Sequence, residues 1–292
     1  MRFGITGNTN KENIWAPIAE IVQRLLASDR KFCIQKSVAD GLKERNLLNE
    51  SVHAEQTTSD LAVDADIVLS FGGDGTLLNT AHEIGDQGTP ILGVNLGRLG
   101  FMTHVEIATL DDAIDRLESG KYEIEERLAL NASFSDGSEL PVTWAVNEFT
   151  IQRSGEVGLL SIDVHVDQKY LNTFWADGLI IATPTGSTAY SLALGGPIMT
   201  PGCGGILITP VAPHTLTVRP IVIPDTSIIE VKVLDTDKDH VFTSDGMSTV
   251  LGGNSSSLII ERSTHSVRLV KFDDQEYFET LRNKLMWGVR KS

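Results

Sequence analysis

The chain has 292 residues, 41% of them apolar, which is enough for substantial cores and points to two domains. Acidic residues outnumber basic ones 39 to 24, a formal net charge of −15, which argues against non-specific nucleic-acid binding and against an anionic membrane surface. No segment approaches the roughly 20 apolar residues that span a bilayer.

Met1 to Asn8 reads as a strand and a polar turn, without the basic start and apolar run of a signal peptide. Cys33 and Cys203 lie far apart and make neither a metal pattern nor a disulfide framework, so a reducing cytoplasm is expected. Arg2 to Thr6 is a strand candidate. Ile14, Ile18, Ile21, Val22, Leu25 and Leu26 follow helical spacing, and Phe32 to Ile34 is the next strand candidate. Asp66 to Phe71 is an apolar strand that runs into Gly72-Gly73-Asp74-Gly75-Thr76, and Leu77 to Ile84 continues as a helix. Pro90 to Asn95 is another buried strand. Thr109 reads as the N-cap of a helix with Leu110, Ala113, Ile114 and Leu117 on one face and Gly120 as its stop. Strands alternating with helices imply a parallel sheet covered on both faces.

The pattern changes after Tyr122 to short alternating runs. Asp136-Gly137, between Ala132–Phe134 and Val142–Trp144, is a hairpin signal. Ile162 to Val166 alternates cleanly, and Ile228–Val233 and Val267–Phe272 are further strand candidates. Phe278, Leu281 and Leu285 suggest a short C-terminal helix. The expected fold class is α/β followed by all-β. The expected divisions are 1–122, an N-terminal α/β domain carrying the glycine loop; 123–270, a β-rich domain; and 271–292, a C-terminal segment.

Three constellations carry chemistry. Gly72-Gly73-Asp74-Gly75-Thr76 lies where an apolar strand meets a helix. Its glycines allow close approach to phosphates, and the helix N-terminus offers free N–H groups. A carboxylate there can bind a sugar hydroxyl, take its proton or hold Mg²⁺, or Asp74 merely caps the helix. Asp177-Gly178, the run Leu179–Ala182 and then Thr183 to Ser191 form a second, a strand delivering a loop dense in small hydroxylated residues, with Tyr190 able to stack on an adenine or to sit in a core. Asn147-Glu148 is the third. An amide beside a carboxylate suits a base edge and a ribose diol, but neighbours in a regular strand point to opposite faces, so the chain has to bend there.

On these residues the chain resembles bacterial-type NAD kinases. The resemblance runs through Gly72–Thr76, Asn95-Leu96-Gly97-Arg98-Leu99-Gly100-Phe101, Asn147-Glu148, Asp177-Gly178, Thr183–Ser191, Gly195-Gly196-Pro197, Pro213-His214-Thr215-Leu216 and Arg219-Pro220. The glycine loop alone is shared with phosphofructokinases and lipid kinases. The resemblance implies a phosphofructokinase-like α/β domain, a β-rich NAD-binding domain with the nucleotide site between them, and a chain end that returns to the first domain. It also implies ATP as phosphoryl donor, a divalent cation such as Mg²⁺, and a homodimer or homotetramer in the cytoplasm. The implied reaction is phosphorylation of the 2′-hydroxyl of the adenosine ribose of NAD. Asp74 resembles the family's proton acceptor, and Gly72, Gly73 and Gly75 its phosphate-facing turn. Asp74, Gly75, Asn147, Glu148, Asp177, Thr188, Ala189, Tyr190 and Ser191 resemble its NAD contacts. Trp175, Met247 and Asn79 depart from the family's more polar or basic pattern, and Trp175 is a candidate nicotinamide contact. His214 reads as a structural histidine. A lipid kinase and a non-catalytic nucleotide-binding regulator are the competing readings.

Overall fold

The computed structural model describes residues 1–97, 100–155, 158–253 and 255–288. Arg98 and Leu99, part of the family-like segment, lie outside the described residues. The chain divides into two compact units, Met1–Glu126 with Val267–Ser292, and Arg127–Ser266.

The first unit is built on a mainly parallel sheet. Its strands follow the order Thr57–Thr58, Lys31–Gln35, Arg2–Gly7, Ile67–Gly72, Ile91–Asn95, Val267–Lys271 and Glu123–Arg127, and Val105–Glu106 also pairs with Ile91–Asn95. Ile67–Gly72 and Ile91–Asn95 are buried at every position, as strands covered on both faces must be. From Arg2–Gly7 the chain adds strands to one side, then crosses over and continues from Ile67–Gly72 on the other. The carboxyl ends of these two neighbours therefore flank the switch point of an open α/β sheet, where ligands bind.

The helix Trp15–Ala27 buries Ile18, Ile21, Val22 and Leu25 at the expected spacing, whereas Leu26 is exposed. The helices Lys36–Glu44 and Glu50–Gln56 carry fewer apolar residues and escaped the periodicity reading. Thr109 stands at the N-cap of Leu110–Glu118, but its hydroxyl donates back to the Glu106 carbonyl (3.1 Å) and does not cap the helix. The strand expected at Val267–Phe272 forms as Val267–Lys271 and pairs in parallel with Ile91–Asn95, so it belongs to the sheet of the first unit. The residues after it are pinned by Arg116, which pairs with Asp273 and Asp274 and stacks over Phe272. In the final helix Tyr277–Leu285, Leu281 is buried but Phe278 is exposed, so the expected apolar face is narrower than read.

The second unit holds two six-stranded sheets. One runs Ile221–Pro224, Gly205–Val211, Gly178–Ala182, Glu148–Arg153, His240–Ser244, Met247–Leu251; the other runs Lys169–Ala176, Leu160–Val166, Ile229–Val233, Leu258–Arg262, Leu130–Phe134, Trp144–Ala145. Alternating residues of both sheets share one core, in which Phe149 and Phe242 stack at 5.2 Å. The antiparallel pairing expected across Asp136-Gly137 forms, between Leu130–Phe134 and Trp144–Ala145. Leu130 pairs with Ala145, so residues 135–143 form a longer connection. The tight Asp-Gly hairpin is Asp245-Gly246, between paired Ser244 and Met247. No described helix is long and apolar enough to cross a membrane.

Candidate active site

In the first unit the glycine loop ends Ile67–Gly72 and opens the helix Asp74–Ile84. The N-cap residue is Gly73, not Asp74, so the capping reading of Asp74 fails. The Asp74 carboxylate is committed to another segment. Oδ2 accepts the backbone N–H of Phe101 (2.8 Å), and Oδ1 accepts that of Met102 (3.0 Å) and the hydroxyl of Thr103 (3.2 Å). A carboxylate has about four acceptor positions, so roughly one is left for a substrate. Gly100 lies so close that a Cβ there would stand 2.0 Å from Asp74 Oδ1, which explains its glycine.

Beside this loop, at the switch point, lies a polar cavity of about 170 Å³ lined by Thr6, Gly7, Asn8, Asn10, Gln35, Asn79 and Thr80, among others. Thr76 also lines it, and its hydroxyl is buried with no hydrogen-bond partner. Unpartnered buried hydroxyls are rare and mark a place where a ligand or water completes the bonding. Among the described residues the lining includes Glu83 but no Lys or Arg, so an anion bound against these residues would be balanced by backbone N–H groups and a cation. Among the described residues no three His, Cys, Asp or Glu side chains converge as a metal cage. A divalent cation entering with a nucleotide would take its ligands mainly from phosphate oxygens, with Glu83 the carboxylate of the lining.

In the second unit the structure brings two of the sequence constellations together. The Thr183 N–H donates to the Asn147 carbonyl (2.8 Å) and the Thr183 hydroxyl to the Val146 carbonyl (2.5 Å). Gly186 packs on Asn147 so tightly that a Cβ would lie 2.1 Å from the Asn147 carbonyl oxygen. The hydroxyl-rich loop is less open than its composition suggests. Thr183, Thr185, Ser187 and Ser191 are buried. Ser187 bonds the Pro184 carbonyl and the Met199 N–H, and Ser191 meets Thr209 (2.9 Å). Most of these hydroxyls build the loop, and Ser191 supports it from below. Thr188 and Ala189 are half-buried and Tyr190 is exposed, so the core reading of Tyr190 fails. Gln152 donates to the Tyr190 hydroxyl at 3.3 Å.

Val146 and Asn147 form a bend that leads into the strand opened by Glu148, so the pair does not lie within a regular strand. One Glu148 oxygen, Oε2, is buried without a partner. Burial, and then the nearby Asp245 carboxylate, push the Glu148 carboxyl up to about 8. Asp177 pairs with Arg153 at 3.3 Å and is partly exposed. Trp175 is 56% exposed and Met247 41%, so neither is a packing residue of its unit. His214 is exposed, and its backbone N–H donates to the Trp175 carbonyl (2.8 Å); Arg219 clasps its own loop through the Leu216 and Val218 carbonyls. Sequence reasoning placed Thr76 in the glycine-loop motif without a role of its own, and missed Thr103 and Asp245. The Asp-Gly pair at 245–246 was the one available signal for the last.

Residues 3–122 match the N-terminal domain of the ATP-NAD kinase family, and residues 146–272 match its C-terminal domain. The NAD kinase of Bacteroides fragilis is 39% identical over 289 residues, and that of Cytophaga hutchinsonii 33% over 289, each alignment covering 99% of both chains. Among solved structures, yeast NADH kinase complexed with NADH superposes with a TM-score of 0.89 at 23% identity, covering 100% of this chain and 90% of the other. An NAD kinase from Archaeoglobus fulgidus in complex with ATP gives 0.74 at 22% identity, covering 98% and 99%. These two likenesses concern the fold alone. With both family domains matched in order and relatives aligned end to end, the chain belongs to the ATP-NAD kinase family.

Proposed function

We propose that the chain transfers the terminal phosphoryl group of ATP to the 2′-hydroxyl on the adenosine ribose of NAD, giving NADP. The observation that carries this reading is the pairing of family membership with an intact Gly72-Gly73-Asp74-Gly75 turn at the sheet's switch point. The relatives named NAD kinase act on that substrate, and every residue of the turn is present here.

In this reading the polar cavity beside Thr76 and the N-terminus of Asp74–Ile84 receive donor phosphates. The second unit holds NAD, with Glu148 on ribose hydroxyls, Asn147 beside it, and Thr188, Ala189 and Tyr190 on the outward side of the loop. Asp177 is a further contact, and exposed Trp175 faces a nicotinamide ring. Phosphoryl transfer asks little covalent chemistry of a protein. It needs alignment of the hydroxyl with the donor, neutralisation of phosphate charge by Mg²⁺ and N–H groups, and a proton acceptor. Asp74 is that acceptor. Its bonds to Phe101, Met102 and Thr103 fix the carboxylate's orientation, so the remaining lone pair points at one place. The active form is a homodimer or homotetramer in the cytoplasm.

The test is incubation with ATP, Mg²⁺ and NAD, followed by reduction of any NADP with an NADP-specific dehydrogenase. Saturable NADP formation is expected. Binding of both nucleotides without turnover would favour a regulator, and phosphate transfer to lipid alone a lipid kinase.

A further inference from the structure

Three successive backbone N–H groups in the second unit point at one side chain. Asp245 Oδ2 accepts from Val146 N (2.7 Å), and Oδ1 accepts from Asn147 N (2.8 Å) and Glu148 N (3.1 Å). In an extended strand successive N–H groups alternate in direction, so three that converge demand a bend. The bond is reciprocal, since the Asp245 N–H donates to the Glu148 carbonyl (3.2 Å). Asp245 reaches this position because it sits at φ +45°, followed by Gly246 at φ +92°, in a two-residue hairpin of the kind that needs positive φ at both residues. Asp is among the few residues with a side chain that tolerate that conformation.

We propose that Asp245 is a positioning residue for NAD: its carboxylate holds Val146, Asn147 and Glu148 in the bend that turns the Asn147 and Glu148 side chains to a single ligand. The proposal rests on the reading of Glu148 as a ribose-holding residue. Asp245 has a second effect through its charge. After burial, it is the group that keeps the Glu148 carboxyl near 8. The strand Gly178–Ala182 and the loop Thr183–Thr188 beside Glu148 contain no ionisable side chain. On the hairpin His240–Leu251 the other ionisable side chain is His240, paired with Arg153 at the far end of the ladder.

Two variants delete the carboxylate while keeping a residue suited to positive φ: Asp245→Asn and Asp245→Gly. Both are expected to weaken NAD binding about 10–100-fold, the effect of losing charge-assisted hydrogen bonds, with Gly at the larger end. The KM for ATP should stay within about threefold, because the defect concerns one substrate. The midpoint of the pH dependence of NAD binding should move to lower pH than in the unmodified chain, a shift that a purely structural role does not produce. Glu148→Gln serves as the reference. If it leaves NAD affinity unchanged, the ribose-holding reading of Glu148 falls, and the Asp245 proposal with it. If Glu148→Gln weakens NAD binding but both Asp245 variants bind NAD within about twofold of the unmodified chain, the Asp245 proposal alone is overturned. It is also overturned if both KM values rise together with loss of melting temperature and no shift of the pH midpoint.

Discussion

Both units contain an aspartate whose carboxylate gathers backbone N–H groups, but the two clamps are built in opposite ways. In the first unit Asp74 belongs to the motif itself and holds a neighbouring loop through Phe101, Met102 and Thr103. In the proposed mechanism the chemical group is the clamp. In the second unit Asp245 lies outside the motif and holds Val146, Asn147 and Glu148 in shape. There the proposed ligand-holding groups are what is clamped. Replacing Asp74 should therefore strike turnover, and replacing Asp245 should strike binding of one substrate.

The largest expected effect is that of Asp74→Asn. Loss of a positioned general base costs about 10²–10⁴-fold in rate. Asn also turns an amide donor towards the Phe101 or Met102 N–H, so loop 100–103 loosens as well. Thr103→Val separates the two contributions, since it removes one orienting bond and leaves the base. Measured at saturating ATP and NAD, it should cost about tenfold or less. Equal losses in both variants would mean that Asp74 acts chiefly through the loop.

Gly186→Ala tests the seat of the hydroxyl loop on Asn147. The added methyl meets the Asn147 carbonyl oxygen, and such overpacking typically costs about 1–3 kcal/mol. A lower melting temperature and a raised KM for NAD are expected, and an unchanged KM would detach the loop from the NAD site. Trp175→Ala is smaller. Loss of a cation–π contact of roughly 0.5–2 kcal/mol should raise the KM for NAD by about two- to thirty-fold and spare that for ATP.

A further effect is on stability and its dependence on pH. The Glu148 carboxyl is raised from 4.5 to about 8, so between these values the folded chain holds a proton that the unfolded chain has lost. Its contribution is complete below the ordinary carboxylate range and is lost as pH rises through about 8. Glu148→Gln should therefore gain melting temperature relative to the unmodified chain as pH rises from 5 to 8. A difference independent of pH would contradict the buried carboxyl.

What was legible in the sequence was local. The strand Ile67–Gly72, the glycine turn and the helix after it lie within eighteen consecutive residues (67–84) and signal one another through apolar runs and glycine. Asn147-Glu148 was legible as a pair that needs a bend, but not as a bend, because the group that makes it stands about a hundred residues further along. Asp136-Gly137 signals the connection between the antiparallel strands Leu130–Phe134 and Trp144–Ala145, whereas the tight two-residue hairpin is closed by the second Asp-Gly pair, Asp245-Gly246. The loop's hydroxyls looked free because composition does not show that Thr183 and Ser187 spend theirs on backbone. The strand Val267–Lys271 alternates like its predecessors, and nothing local says that it joins a different sheet.

Phosphoryl transfer to one particular hydroxyl is read most directly from the position of the phosphate in the product. The purified chain is incubated with ATP, Mg²⁺ and NAD, and the product is examined by phosphorus NMR and with an NADP-specific dehydrogenase. The expected product is a 2′-phosphomonoester on the adenosine ribose that the dehydrogenase accepts, abolished by excess chelator and reduced about 10²–10⁴-fold in Asp74→Asn. Phosphate at another position, full turnover in chelator, or a folded chain that binds both nucleotides and forms no NADP would contradict it.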